Sequence, residues 1–331
     1  MRGIKISGTG IYTPETKVTN DDLSQFMDTN NEWIETRTGI RSRNYSAEMP
    51  NHYMATEAGR AAIKDAGLTP EDIDLIIVST CSPEFFYPCM SGLVQHGLGA
   101  VNAAVFDINT ACTGFITAID VASRYLEDGD YKKILVVASE RLSPHVDFED
   151  RSASILFGDG AAAAVIEHSD KPFYSYMSAK GDPFEALYCS VNKTYNCPYT
   201  KENEELNAIM DTPAKKTYLQ MDGKGVYKFA VDAMATAVTK TLEKAGLTID
   251  DIDLVIPHQA NIRIIQSATK SLGISPEKVY INIYEHANTS SACIPTCLDD
   301  LNKEGRIKDG MKICIVGFGA GLTSGAIVFE Q

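Results

Sequence analysis

The stretch AGLTPEDIDLII at residues 66–77 returns as AGLTIDDIDLVI at residues 245–256, with nine of twelve positions identical and an offset of 179 residues. A repeat on that scale marks two copies of one fold. It is not a solenoid, whose periods run at about 20–50 residues. The offset holds without insertion far outside the similar stretch, since Asn109-Thr110 falls on Asn288-Thr289 and KKILVV (132–137) falls on MKICIV (311–316). The halves therefore share a topology over at least 66–137 and 245–316. Cys112, His258 and Asn288 each interrupt the apolar pattern just after a strand-like run in the duplicated part. A pseudo-two-fold axis can bring such positions together.

Strand candidates are the β-branched runs GIKISG (3–8), DLIIVST (74–80), AAVFDI (103–108), KILVVAS (133–139), AAAAVIE (161–167) and KICIVG (312–317). They alternate with alanine-rich stretches at helical period, EAGRAAIKDAGL (57–68) and FAVDAMATAVTKTLEKAGL (229–247). That alternation reads as α/β, with sheets covered by helices. A chain of 331 residues can bury roughly three quarters of its unfolded surface, so two fused half-domains need no staples. The division expected is 1–175 for the half carrying the cysteine, 176–222 for an excursion, and 223–331 for the half carrying histidine and asparagine.

The net charge of −14 argues against nucleic acid and anionic membrane surfaces as partners. Cysteines stand at 81, 89, 112, 189, 197, 293, 297 and 314, with no CxxC pair and no zinc-ligand spacing, so no metal is expected. With no secretory h-region after Met1 and no apolar run approaching the ~18 residues of a membrane span, reduced thiols and a cytoplasmic location are expected.

Residues 182–220 include YCSVNKTYNCPYTKENEELN (188–207) and lack clear periodicity. Loops longer than about 15 residues are commonly lids or mobile segments. This one reads equally as the entrance to a site or as a neutral insertion. Cys189 and Cys197 within it could pair or bind metal, although a reduced compartment disfavours both.

Cys112 lies in DINTACTGFITAIDVASRYL (107–126), where a strand gives way to an amphipathic helix. A thiol at a helix N-terminus faces the positive end of the dipole, which favours thiolate and makes a nucleophile. The competing reading is a small buried hydrophobe. His258 follows the strand-like run of LVIPHQANIRII (254–265), and its partner in the repeat is Ser79. Asn288, in HANTSSACIP (286–295), is the repeat equivalent of Asn109, and its amide can donate a hydrogen bond without titrating. The glycines of GFGAGLTSG (317–325) allow backbone to approach a ligand closely. Neither they nor GTG (8–10) match a dinucleotide fingerprint.

In combination, NEWIETRTGIRSR (31–43), the cysteine turn, FGDGAAAAV (157–165), PHQAN (257–261), ANTSSA (287–292) and GFGAG (317–321) resemble the β-ketoacyl-acyl-carrier-protein synthases III. The likeness runs from Gly3 to about Phe329. It implies a thiolase-like five-layer αβαβα fold made of two duplicated halves. It also implies a Cys112, His258, Asn288 triad: Cys112 takes an acyl group from acyl-coenzyme A, and His258 and Asn288 stabilise the enolate formed as malonyl-acyl-carrier protein loses carbon dioxide. Backbone N–H groups of Cys112 and Ala320 correspond to the oxyanion hole, although glycine is commoner at Ala320. Degradative thiolases use a second cysteine in the C-terminal glycine loop, which residues 317–325 lack.

The same resemblance assigns coenzyme A binding to Trp33, Arg37 and Arg151, with adenine stacked between aromatic face and guanidinium, and to Asn261 on the pantetheine arm. The alternative for the single tryptophan is a core or helix-cover role. Lys228, Arg263 and Lys270 match a basic patch for acyl carrier protein, and Lys224 shares a helical face with Lys228. Tyr87 matches a primer-pocket residue supplied across a homodimer interface. With Phe85, Phe86 and Met90 nearby, a narrow pocket and a short primer are expected. No permanently bound cofactor is implied, the coenzyme A thioester being substrate. Initiation of fatty acid synthesis leads the readings. Priming of a polyketide or other specialised product draws on the 182–220 segment and on Ser324, where tryptophan is common. A silent partner subunit is opposed by the intact triad.

Overall fold

The β-branched runs assemble into two separate sheets. The computed structural model describes residues 3–181, 186–189 and 218–331. In the first half, β1 (Ile4–Tyr12) is followed by β2 (Thr16–Thr19) and β3 (Ser42–Tyr45), which form a small two-stranded antiparallel sheet of their own, then by β4 (Leu75–Ser79), β5 (Ala104–Ile108), β6 (Lys133–Glu140) and β7 (Gly160–His168). The sheet order is β1-β7-β6-β4-β5, with β4 parallel to β5 and β6 and the β7 contacts antiparallel. In the second half, β8 (Phe173–Ala179), β11 (Leu254–Pro257), β12 (Lys312–Gly319) and β13 (Thr323–Glu330) take the order β11-β12-β13-β8. This is the first sheet again without its edge strand, which is reduced to a single bridge between Val255 and Val279.

Apolar runs that leave no polar face need helices on both sides, and period-two alternation sorts them. Leu75 and Ile77 of β4 and Ile134 and Val136 of β6 point to the middle of the molecule, against α5 (Gly114–Asp128). Ile76, Val78, Leu135 and Val137 point outward, against α3 (Asn51–Asp65) and α4 (Met90–Leu98), which follow the short α1 (Asn20–Leu23) and α2 (Asn31–Thr38) in the chain. Val255, Cys314 and Val316 likewise face α6 (Gly223–Ala245) and α7 (Ile262–Ser271). The middle layer is completed, after the short α8 (Ile283–His286), by α9 (Cys293–Lys303), whose Ile294, Leu298 and Leu301 join the central cluster. Helix, sheet, helix, sheet, helix is the αβαβα order. Each fully buried Ile, Leu or Val contributes about 1.5–3 kcal/mol.

The duplication reaches single residues. Single 3₁₀ turns stand at Pro70–Asp72 and Ile249–Asp251, each closed by a threonine–aspartate capping box. A second pair stands at Ala111–Thr113 and Ser290–Ala292, and α5 and α9 begin directly after them. Ala111 (φ 47°) and Ser290 (φ 51°), equivalent in the repeat, are both left-handed.

Two boundaries differ from the sequence reading. The seam lies between His168 and Phe173, because β8 belongs to the second sheet and straddles the boundary placed at 175. β8 takes the place of β1, but the two begin 169 residues apart, so an offset of 179 does not reveal the pair. GFGAGLTSG is the end of β12, one turn, and the start of β13 rather than a loop. Of the excursion, β9 (Leu187–Tyr188) and β10 (Gln220–Met221) pair antiparallel, while Cys197 lies outside the described residues.

Candidate active site

Asn109 sets up the nucleophile's turn. Its Oδ1 accepts the Ala111 N–H at 3.2 Å, and the left-handed Ala111 then delivers Cys112 to the single turn that precedes α5. Cys112 is 7% exposed and lines the same cavity as Ser290. Burial pushes the thiol up to about 12, with the Ser290 hydroxyl pulling the other way. Desolvation of the buried sulfur thus opposes the lowering expected from the helix terminus.

His258 leaves the end of β11 with its N–H bonded to the Val316 carbonyl at 2.8 Å. Its ring packs edge-on to Phe318 at 5.5 Å between centroids and is 1% exposed. Neither ring nitrogen has a partner among the described residues. Burial lowers its pKa to about 3, so the ring is neutral and offers one N–H donor. Asn288 is gripped through its backbone, its N–H bonding Leu156 O at 2.9 Å and its carbonyl accepting Gly158 N–H at 3.0 Å. Its Oδ1 accepts the Ser290 N–H at 2.9 Å, which orients the amide and leaves Nδ2–H as the donor available to the site. A buried histidine with both nitrogens unspent is costly unless a ligand completes it.

These residues meet at the junction of two cavities. A tunnel of about 180 Å³ is lined by Cys112, His258, Asn288, Phe318, Asn261 and Tyr227 among others. A wider chamber of about 630 Å³ lies on the far side of Cys112, against Cys81, Glu84, Phe85, Phe86, His145 and Ala320. Gly319 is required where it stands, because a Cβ there would sit 2.8 Å from the Cys112 backbone nitrogen. Ala320 is not left-handed; Gly321 (φ 72°) and Leu322 (φ 50°) carry that strain, so alanine fits the backbone here as glycine would.

A thiol between two chambers, with two neutral donors facing one of them, is the layout of an acyl-transfer centre that must hold an acyl group while a second thioester enters. Family models for 3-oxoacyl-[acyl-carrier-protein (ACP)] synthase III match residues 106–181, and for its C-terminal part residues 242–331. The β-ketoacyl-[acyl-carrier-protein] synthase III of Clostridium acetobutylicum is 43% identical over 332 residues, covering 100% of this chain and 99% of the relative. The chain belongs to the β-ketoacyl-acyl-carrier-protein synthase III family. The crystal structure of the synthase III of Aquifex aeolicus superposes with a TM-score of 0.90 at 41% identity, covering 99% of this chain and 100% of that one. The priming β-ketosynthase of the R1128 polyketide pathway gives 0.87 at 36% identity, covering 100% and 97%. The fold is thus the thiolase-like one expected, and the protein is a condensing acyltransferase.

Around this synthase III centre, the residues expected at the periphery separate into groups. Trp33 sits on α2, capped by Asn30, whose side chain accepts the Trp33 N–H at 2.8 Å. Gly39 closes that helix in the left-handed region (φ 82°), where a Cβ would also press on Ile262 at 2.8 Å. The guanidiniums of Arg37 and Arg151 lie 4.3 and 4.7 Å from the indole centroid. Those are direct contacts, so a base stacked between Trp33 and Arg151 requires the arginine to swing out. Asn261 caps α7, its Oδ1 accepting the Arg263 N–H at 2.8 Å, and its amide lines the tunnel.

Lys224, Lys228, Arg263 and Lys270 are all exposed. Tyr227 on α6 bonds Ser267 on α7 at 2.7 Å, joining the helix that carries Lys224 and Lys228 to the one that carries Arg263 and Lys270, while Lys228 itself lines a cavity with Ser178, Lys180 and Ser324. Arg263 also donates to the Thr36 carbonyl at 2.8 and 3.2 Å, tying α7 to the end of α2. Tyr87 is 87% exposed and projects outside its own chain's chamber. That chamber is wider than the narrow pocket expected from the aromatic residues alone, since Glu84, His145 and Cys81 share its wall.

The sequence reading missed Glu140, Ser290 and Cys81. Glu140 is fully buried at the end of β6. Its Oε1 accepts from Ser291 Oγ (2.8 Å) and Ser290 Oγ (3.3 Å), and its Oε2 from Ser82 Oγ (2.7 Å) and Cys81 Sγ (3.3 Å). The signal was present, since KILVVASE is an all-buried strand that ends on a carboxylate.

Proposed function

We propose that Cys112, His258 and Asn288 form one centre that runs both halves of a decarboxylative condensation. The Cys112 sulfur attacks the carbonyl of an acyl-coenzyme A primer, the bond to coenzyme A breaks, and the acyl group rests on Cys112 as a thioester. Malonyl-acyl-carrier protein then enters by the tunnel and loses carbon dioxide. The electron pair left behind is held as an enolate by the His258 and Asn288 N–H donors. The enolate carbon attacks the acyl carbonyl, the Cys112 sulfur is expelled, and β-ketoacyl-acyl-carrier protein leaves. Backbone N–H groups of Cys112 and Ala320 face the tetrahedral oxyanion, and one such donor is worth about 3–4 kcal/mol. The coenzyme A thioester is substrate, and no resident cofactor takes part.

The observation that carries this reading is the pair of neutral donors left unspent in the tunnel beside a protected thiol. Relatives at 43% and 41% identity bear the name β-ketoacyl-[acyl-carrier-protein] synthase III, which supports initiation of fatty acid synthesis, and the polyketide priming enzyme is more distant at 36%. The exposed Lys224 and Lys228 of α6 and Arg263 and Lys270 of α7, on two helices joined by the Tyr227–Ser267 bond, support docking of an acidic carrier protein. The edge strand β5 leaves one side of its ladder open, and Phe85, Phe86 and Tyr87 are 54%, 66% and 87% exposed. Open edges and exposed apolar tips are ordinarily covered, which supports a homodimer that places Tyr87 in the partner's chamber. Among the described residues no helix is long and apolar enough to cross a membrane. A cytoplasmic location agrees with the free thiols of Cys81, Cys89, Cys112, Cys293, Cys297 and Cys314.

Intact-protein mass spectrometry tests the reading. Wild type and Cys112→Ala are incubated with acetyl-, butyryl- and isobutyryl-coenzyme A, and malonyl-acyl-carrier protein is then added. An adduct that depends on Cys112 and is discharged by the carrier substrate is expected. No adduct from any primer, or an adduct the carrier substrate leaves in place, would overturn it.

A further inference from the structure

Arg43 ends the stretch NEWIETRTGIRSR, and unlike the exposed Arg37 and Arg41 it is fully enclosed. At 0% exposure it is the one buried lysine or arginine among the described residues. A buried cation is costly unless a carboxylate or good acceptors complete it. No carboxylate pairs with Arg43 among the described residues. Its Nη2 donates to the Ile155 carbonyl at 2.8 Å and its Nη1 to the Val18 carbonyl at 3.4 Å, while its Nε has no partner there. We propose that Arg43 is a positioning residue for Asn288, holding the segment 155–159 from which the asparagine's backbone hangs.

Residues 155–159 belong to no helix or strand, so their course is set by contacts with neighbouring elements. The tethers alternate. The Ile155 carbonyl is taken by Arg43, and the Asp159 N–H donates to the Asn44 carbonyl at 2.8 Å, both partners standing on β3. Between these two ties, Leu156 O accepts the Asn288 N–H at 2.9 Å and the Gly158 N–H donates to the Asn288 carbonyl at 3.0 Å. Odd-numbered residues are thus tied to β3, and even-numbered ones grip Asn288. Gly158 permits the close packing, since a Cβ there would meet His286 O at 3.0 Å and Arg43 Cβ at 3.2 Å. Removing the guanidinium frees one end of this segment, and Asn288 moves with it.

The inference rests on the proposed role of Asn288 as a donor to the enolate. That donor and the one on His258 must converge on a single oxygen, and a misplacement of about 1 Å can cost about 10²-fold in rate. Cys112 has other supports: Asn109 Oδ1 fixes its turn through the Ala111 N–H, and Gly319 lies against its backbone nitrogen. Loss of Arg43 should therefore fall on decarboxylation and spare acylation. Arg43 lines neither the tunnel nor the wider chamber, so it acts only through the segment it holds.

The test separates the two half-reactions. Decarboxylation of malonyl-acyl-carrier protein is measured in a Cys112→Ala background. Acylation is read as the mass of the Cys112 adduct against time, at a saturating level of whichever acyl-coenzyme A loads the wild type. Arg43→Met, which fills the space without the donors, should slow decarboxylation about 10- to 10²-fold and leave acylation within about threefold of wild type. Arg43→Lys keeps the charge but not the planar fork and should lose about three- to tenfold in decarboxylation alone, so it carries the test should Arg43→Met not fold. In an Asn288→Ala background Arg43→Met should slow decarboxylation no further, whereas a general loosening of the fold would add its own loss. Equal loss in both half-reactions, a loss that adds to that of Asn288→Ala, or unchanged decarboxylation in the Arg43 variants overturns the positioning role. Decarboxylation unaffected by Asn288→Ala itself instead removes the donor reading, and the role of Arg43 with it.

Discussion

Positions 79, 109, 111, 112 and 140 of the first half correspond to 258, 288, 290, 291 and 319 of the second. The two sets share a backbone while almost every side chain differs in its task. In both halves an asparagine Oδ1 accepts the N–H two residues on, at 3.2 Å for Ala111 and 2.9 Å for Ser290. In both, the residue so held is left-handed and a helix of the central layer follows. On this common frame the first half presents Cys112 to the cavities, while the second turns Ser291 toward Glu140. The first half has a small hydroxyl at Ser79, accommodated only because Gly114 lacks a Cβ that would sit 1.8 Å away; the second has the imidazole of His258.

Glu140 and Gly319 form the most instructive pair. The carboxylate reaches across the pseudo-axis to the second half's turn, while the glycine withdraws so that the first half's Cys112 N–H can approach. Each half is therefore fitted to the other half's turn. The two halves share one frame, and divergence at residues that cross the axis leaves the proposed nucleophile in one half and the proposed donors in the other.

The harshest way to break the comparison is to move the thiol between frames. Cys112→Ser combined with Ser291→Cys should abolish acylation below detection, because position 291 faces a buried carboxylate rather than a cavity. An adduct on the relocated thiol, found by peptide mapping, would show the frames to be interchangeable. Gly319→Ala should lower kcat about 10²- to 10³-fold and lower the melting temperature as well, since its Cβ would meet the Cys112 backbone nitrogen at 2.8 Å and must displace it. Steady-state kinetics with acyl-coenzyme A and malonyl-carrier protein measure this, and a kcat within twofold of wild type would remove Cys112 N–H from the mechanism.

The smallest effect separates His258 from Ser79 by pH. The folded pKa of His258, about 3, lies below the value near 6.5 of the unfolded chain. As pH falls below about 6.5 the unfolded state takes up the proton first. Stability from this site is complete above that pH and drains away as pH falls toward about 3, at about 1.4 kcal/mol per unit. His258→Asn should flatten urea-unfolding free energies between pH 6 and 4 relative to wild type, and parallel slopes would show that another group controls acid sensitivity.

Much of this was legible in one dimension. Strands β4, β6, β7 and β12 are nearly continuous apolar runs, and such runs declare a sheet buried on both faces wherever they stand. Cys112 and His258 were legible because each follows a strand inside a repeat of constant offset; Asn288 follows the short helix α8, where the second half lacks the edge strand, and was legible by its offset from Asn109 alone. Glu140 and Ser290 were not, because a buried carboxylate and a surface one are the same letter until the opposite half is packed against them. β8 escaped for a related reason, since its pairing with β13 is made across the chain and its offset from β1 is not that of the repeat.

By itself the sequence determined the local frames: apolar alternation that sorts side chains between layers, asparagines that force left-handed turns, and glycines where backbone must approach. These follow from bonded geometry and from interactions a few residues apart. Only the tertiary structure decided the desolvation of Cys112, the spare nitrogens of His258 and the burial of Glu140. Each depends on how much water the other half excludes and on which distant hydroxyl arrives in its place, and desolvation is a property of the packed whole.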